Sequence, residues 1–490
     1  MFGCNELSLR INGRVKIIDK ISINNCKFKQ ISINNHIDGN IEFQKCEFNN
    51  FNLYGFSNAT IKGAFTFDFC EVKEKVNFMN FEFENKVSFK MSKFKDNVYF
   101  NNSVFKDYTD FHECEFEKIA CFYGVRFNKT PNFSQAIFRG NLNAVNANLN
   151  FTFDDLQERI KQEYEDFNKN IENKKSLDKF ANDFRDSFRT FKNALIKDNN
   201  LLDASNFHKY ELYCKEIELK QNWDKRGENV KNTTDLEKNV SRIRDFMDFL
   251  LLGFYRKLCD HHTDFLKVFN NLILLIALYA LFVFGFTWLH DDKLEDTRAI
   301  LTLFGFFDKF RLYFDIISTI FVVFGCGFFV CKLDSYEKKN NVSKKQNINF
   351  IYIIGDFLNL IKSLLFASFI PCVFYVLFSL FGFFLNLGKD FGYSLLINTL
   401  FVSLYICLVY TKSLFFGRYV VLIFSYIVFI IMLIKQPNVI HPLIGKIANE
   451  SDKFFNYPSL IVLNILYTIL LALVLFSLQK TARKNSIVPS

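Results

Sequence analysis

None of the 12 cysteines stands in a CxxC pair, which removes the commonest zinc and thiol-redox signatures. Cys26, Cys46, Cys70 and Cys114 recur at one repeat position, while Cys326, Cys331, Cys372 and Cys407 lie in apolar runs. They read as small apolar filler in a reducing compartment. No secretory signal opens the chain, because Met1 to Lys20 has neither an apolar core nor a small-residue cleavage site. The first half is therefore expected in the cytoplasm. P-loop, dinucleotide, HExxH and nucleophile-elbow motifs are all missing, so the expectation is a protein that is not an enzyme and takes no cofactor or metal. The net charge is +9, yet the first half carries no basic stripe interleaved with aromatics, so no nucleic-acid partner is expected. The basic excess gathers instead beside long apolar runs, as the positive-inside rule predicts.

Those runs begin near residue 265. Before it, charged and apolar residues are interleaved. After it, several stretches exceed the roughly 18 residues that separate a membrane span from a buried core helix. The lipid bilayer is thus the first expected partner.

The first half repeats. From Lys75 the chain divides into units of eleven: KVNFMNFEFEN, KVSFKMSKFKD, NVYFNNSVFKD, YTDFHECEFEK, IACFYGVRFNK and TPNFSQAIFRG. The fourth and ninth positions are always Phe: Phe78, Phe83, Phe89, Phe94, Phe100, Phe105, Phe111, Phe116, Phe122, Phe127, Phe133 and Phe138. A Phe-rich composition raises the count of Phe but does not set an alternating spacing of five and six. Weaker units lie at Lys20, Asn40 and Ala64, the pattern fades at Asn141, and the count slips near His36–Gly39 and Phe51–Asn52. A flat strand or an α-helix would send residues at this spacing to opposite faces. A chain that turns a corner every five or six residues aims each Phe at one axis. The second and seventh positions are small or β-branched (Val76, Val87 and Val98; Ser92, Ser103 and Cys114) and share the inward face. The result is a β-solenoid with an interior Phe ladder.

These units resemble the pentapeptide-repeat family in its Phe-centred form, across about residues 20 to 150. The resemblance implies a right-handed, four-sided β-helix. It implies no activity, since function sits on sites rather than folds. Lys and Glu are mixed almost evenly in the units, which argues against an acidic, DNA-mimicking face. The stretches FRTFKNALIKDNNLLDASNFHKYELYCKEIEL and LFSLQKTARKNSIVPS further resemble the membrane-anchored pentapeptide-repeat proteins of Campylobacter-like bacteria.

From Phe153 the spacing turns helical. Phe180, Phe184, Phe188, Phe191 and Leu195 form one apolar stripe. After a turn at Lys197–Asn200, a second helix sets Phe207, Tyr210, Tyr213 and Ile217 on one face, with Glu211, Lys215, Glu216 and Lys220 largely on others. Such a hairpin packs against the open end of the solenoid or in an oligomer. A polar loop at Asn222–Asn239 precedes a helix bearing Ile243, Phe246, Leu250 and Leu251 with Arg242, Arg244, Arg256 and Lys257, a chemistry suited to lipid headgroups. The junction Cys259-Asp260-His261-His262-Thr263-Asp264 concentrates metal-ligand types, but adjacent histidines on a helix point apart and chelate poorly. His261, His262 and Asp264 read as a polar junction that couples the halves.

Six spans are expected, at about 270–289, 313–331, 363–386, 392–411, 416–434 and 459–478. Acidic residues follow the first span (Asp291, Asp292, Glu295, Asp296). Basic ones follow the second (Lys332, Lys338, Lys339), mark the fourth-to-fifth turn (Lys412, Arg418) and follow the last (Lys480, Arg483, Lys484). That alternation puts both termini in the cytoplasm of a bacterial inner membrane. Phe350–Leu360, with Asp356, reads either as an interfacial helix or as part of a longer third span. The expected organisation is a solenoid at 1–152, an α-helical neck at 153–265, a multi-pass α-helical membrane bundle at 266–479 and a basic tail at 480–490. A glycine-rich filter and an Arg ladder are lacking, and intramembrane charge is nearly absent. The expected function is accordingly a scaffold or sensor whose cytoplasmic half binds a protein or itself, with a gated channel or transporter as the alternative.

Overall fold

A computed structural model describes residues 7–11, 15–34, 36–54, 59–149, 151–169, 175–224, 235–290, 389–410, 415–435 and 458–485, with scattered positions between 362 and 375. The chain divides into two compact units, Met1–Gly253 and Phe254–Ser490.

The first unit opens with a β-solenoid. Short parallel strands stack in four columns. One holds Glu71–Val72, Lys93–Phe94, Glu115–Phe116 and Ile137–Phe138; the next holds Val76–Asn77, Val98–Tyr99, Ala120–Cys121 and Leu142–Asn143. A third runs through five levels, Ala59–Ile61, Phe81–Phe83, Val104–Phe105, Arg126–Phe127 and Asn148–Leu149. The fourth holds Phe65–Asp68, Val87–Ser88 and Thr109–Asp110, continued by a bridge to Asn132. Nearer the start, Ile37–Gln44 and Glu47–Tyr54 each run past a corner and pair with two columns at once. The count slips in the sequence at these longer strands.

From Lys86 onward the eleven-residue units turn their corner in the same way. The N–H of the seventh residue donates to the carbonyl of the fourth, as in Ser92 to Phe89 (3.2 Å), Ser103 to Phe100 (3.1 Å) and Cys114 to Phe111 (3.1 Å). The sixth residue has positive φ, as a type II turn requires: Asn80, Met91, Asn102, Glu113, Gly124, Gln135 and Asn146.

Strand spacing of about 4.8 Å brings equivalent side chains into register, and the rings use it. Phe78, Phe100 and Phe122 stack at 5.0 and 4.9 Å, and Phe89, Phe111 and Phe133 at 5.0 and 4.6 Å. Phe83, Phe105 and Phe127 form a third stack, and Phe94, Phe116 and Phe138 a fourth. Rings of different stacks meet edge-on, as Phe100 does Phe111. Stacked and edge-to-face geometries are the two that the ring quadrupole favours.

The seventh position serves the backbone. The Ser92 hydroxyl donates to the Phe67 carbonyl (2.6 Å) and accepts from the Cys70 N–H (3.0 Å). Ser103 repeats this with Phe78 and Phe81, and the Cys114 thiol donates to the Phe89 carbonyl (2.8 Å). The cysteines of this column therefore stand in for serine. Ser92→Ala should leave buried groups unsatisfied and cost about 1–3 kcal/mol. Ser92→Cys should cost less, read from urea midpoints.

Outside, ion pairs tie each coil to the next: Lys93 to Glu115 (2.8 Å), Lys95 to Glu117 (2.7 Å), Lys118 to Asp96 (3.0 Å) and Lys106 to Glu82. The even mixture of Lys and Glu is thus a set of intercoil ladders.

Four helices follow: α1 (Phe153–Asn168), α2 (Leu177–Lys197), α3 (Leu201–Asp224) and α4 (Asp235–Cys259). A Thr152–Asp155 capping box starts α1. The stripe of α2 is buried as its spacing predicts, and Phe191 sits on the last ring level, 4.8 Å from Phe133 and 5.8 Å from Phe138. Tyr210 of α3 donates to the Leu149 carbonyl (2.8 Å). The α2–α3 hairpin therefore closes the C-terminal end of the solenoid.

Phe207, Tyr210, Tyr213 and Ile217 of α3 are buried as their spacing predicts, but other sides of the helix are covered as well. Glu211 and Glu216 are buried, at 8% and 3% exposure, and so are Cys214 and Leu219. The helix has neighbours on more than one side, and Glu211 survives there because Arg189 (2.8 Å), Lys192 (2.7 Å) and His208 (3.0 Å) surround it. Burial raises its pKa, but those three hydrogen bonds outweigh it and hold the carboxyl well below the usual range.

In the second unit, α5 (Phe265–His290), α6 (Lys389–Tyr410), α7 (Phe415–Lys435) and α8 (Pro458–Asn485) follow the end of α4. Two described helices are long and apolar enough to cross a membrane, over Phe265–Val283 and Leu460–Arg483; Ser394–Tyr410 and Val421–Ile434 are shorter apolar stretches. Tyr279 stacks on Tyr467 at 3.8 Å and donates to Asn464 (2.5 Å), and Tyr426 donates to Asn270 (2.8 Å). The expected span 313–331 and the stretch Phe350–Leu360 lie outside the described residues, as does most of 363–386.

Candidate functional site

The ring positions occupy the solenoid axis. From Phe78 to Phe133 they are buried, and Phe138, under the helical cap, is half-buried. They fill space and leave no chemistry exposed.

Chemistry collects instead where α1 lies along the solenoid. Tyr108 donates to Glu163 of α1 (2.6 Å), and Arg159, one turn earlier, places its guanidinium carbon 3.2 Å from the centre of the Tyr108 ring while pairing with Glu163. Asp110 accepts the His112 N–H at 2.8 Å. The His112 ring reaches the Ser134 hydroxyl (2.7 Å) through Nδ1 and Glu113 (3.1 Å) through Nε2. Burial, followed by the nearby Glu163 carboxylate, raises the Asp110 carboxyl to about 7. Burial likewise pushes the Tyr108 phenol well up and the His112 imidazole down. The Ser134 hydroxyl is buried and also donates to the Asn132 side chain (2.6 Å), so its contact with His112 lies inside the fold. The sequence pattern does not announce this cluster; its one signal is that YTDFHECEFEK, alone of the six units from Lys75, has an aromatic first residue and a histidine at its fifth position.

The sign of its pH dependence follows. A carboxyl whose folded pKa is raised contributes stability that is complete below its unfolded value of about 4 and is lost as pH rises to about 7. Asp110→Asn should therefore stabilise the fold by about 1–3 kcal/mol above pH 7 and leave it unchanged near pH 4. Urea midpoints across that range give the measurement.

The histidine junction is a left-handed turn. Asp260, His261 and His262 have φ of 49°, 53° and 66°, a backbone that costs L-residues roughly 1–2 kcal/mol each. Partners hold it in place. Asn271 donates to the Leu258 carbonyl (2.8 Å) and Lys267 to that of Arg256 (3.0 Å), satisfying the last carbonyls of α4. The His262 N–H donates to the Cys259 sulfur (3.3 Å), and Asp264 accepts the Lys267 N–H (3.0 Å) at the start of α5. Burial pushes the Cys259 thiol up to about 11, away from the thiolate that would bind metal. Among the described residues, no three His, Cys, Asp or Glu side chains gather as a metal site. His261, His262 and Asp264 thus share one turn, and His261 is its buried member.

No family model, no curated protein and no solved structure matches this chain.

Proposed function

We propose that the protein is a membrane-held scaffold of the pentapeptide-repeat kind, with a right-handed, four-sided solenoid presented in the cytoplasm. A multi-pass helical bundle holds it at a bacterial inner membrane with both termini inside. The reading is carried by the solenoid itself, whose axis is filled by stacked rings and whose C-terminal end is closed by α2 and α3. Its outer faces are laced with intercoil ion pairs, a surface suited to a protein partner or a second copy. Two candidate spans and the alternation of acidic and basic loops support the membrane placement.

Proteoliposome flux separates this reading from a channel or transporter gated by the first unit. The full chain and a chain lacking residues 1–224 should both be silent to ions and small solutes. Flux that appears or changes on removing those residues would overturn the scaffold.

A further inference from the structure

Helix α4 carries a stripe that its own unit leaves open. Val240, Ile243, Met247 and Leu251 recur at helical spacing on one face and are 60%, 60%, 58% and 50% exposed. A different side of the helix is engaged, where Phe246 stacks on Trp223 of α3 at 4.4 Å. Apolar side chains in such a row normally mark a surface that something covers.

Two observations identify the cover. Over Asp235–Cys259 the helix holds five basic residues against four acidic ones; the acids (Asp235, Glu237, Asp245 and Asp248) all precede Leu251, Arg256 and Lys257 follow it, and exposed Arg244 lies beside the stripe. This is the pattern of a helix lying in an anionic headgroup layer. In addition, α4 ends at Cys259 and the candidate span α5 begins at Phe265. Chain geometry therefore cannot carry Leu251 farther than about 30 Å from the start of that span.

We infer that α4 is a lipid-surface element: Val240, Ile243, Met247 and Leu251 lie about 5–10 Å into the headgroup and acyl boundary, with Arg244 at the phosphates. The inference rests on α5 crossing the bilayer.

The test uses the full chain in phosphatidylglycerol-containing liposomes with brominated lipids. One chain keeps Trp288 of α5 as sole tryptophan (Trp223→Phe), and another carries Met247→Trp with Trp223→Phe and Trp288→Phe. Emission from position 247 should be lost to lipid brominated near the carbonyls, more than to deep-brominated lipid, and should resist aqueous iodide. Arg244→Glu should reduce that loss in phosphatidylglycerol vesicles more than in phosphatidylcholine. Quenching by iodide alone would put the stripe in water. Quenching by neither would mean that protein, such as a second copy, covers it. Either result overturns the inference while Trp288 remains lipid-quenched. If Trp288 too escapes every brominated lipid, the bilayer reading itself fails and takes the inference with it. Leu251→Trp repeats the measurement should the Met247 variant not fold.

Discussion

Phe100→Ala should destabilise the first unit by about 3–5 kcal/mol. The ring has no exposed surface, stacks on Phe78 and Phe122 at 5.0 and 4.9 Å, and meets Phe89 and Phe111 edge-on at 5.5 Å. Its removal opens a hole bounded by backbone rungs, and those rungs are held at hydrogen-bonding distance by their own ladders. Collapse is therefore poor, which is the condition for a cost at the upper end of the range. Phe69→Ala is the control. That residue belongs to the same Phe-rich stretch but is 48% exposed, and its loss should stay within about 0.5 kcal/mol. Thermal and urea unfolding of residues 1–224 give both values. Equal effects at the two positions would mean that composition, and not the register of the rings, holds the solenoid together.

Gly63→Ala should be comparably damaging for the opposite reason. A Cβ at Gly63 would stand 1.9 Å from the Gly39 carbonyl oxygen and 2.6 Å from the Asn40 nitrogen. Both belong to the backbone of the neighbouring coil, so nothing can rotate away and two rungs must part. Overpacking of this kind costs about 1–3 kcal/mol, and more where the obstacle is rigid. Gly124 makes the contrast. It has φ of +67°, and a Cβ there would meet the Asn102 side chain, which can move. Asn occupies the equivalent corner at residues 80, 102 and 146. Gly124→Asn should therefore cost only about 1 kcal/mol.

The rings were legible in the sequence because a buried position facing a shared axis tolerates few side chains, and Phe recurs there at every turn. The corner geometry was not. Its sixth residue must adopt positive φ, yet Met91, Glu113 and Gln135 sit there beside Asn and Gly. The turn hydrogen bond and the rungs above and below impose a conformation that the residue type alone does not announce. The buried side of α3 was hidden in another way. Glu211 falls off the aromatic face in the spacing, and the Arg189 and Lys192 of α2 that allow its burial are supplied only by tertiary structure. The Tyr108, Asp110 and Glu163 cluster has the same character, joining a repeat to a helix 55 residues further on. In the second unit, apolar run length identified the described helices, since a long apolar run is a one-dimensional property.

From Ala59 onward, equivalent atoms in adjacent coils are 22 residues apart, which is two of the eleven-residue units. Growth of this chain by duplication is therefore quantised. Insertion of a whole coil lengthens the rod and keeps every column in phase, including the side against which α1 rests. Insertion or loss of a single unit would bring everything downstream half a turn out of phase, and the Tyr108 side would no longer meet Arg159 and Glu163. The helical cap thus indexes the rod, and length variants of this architecture should differ by even numbers of units.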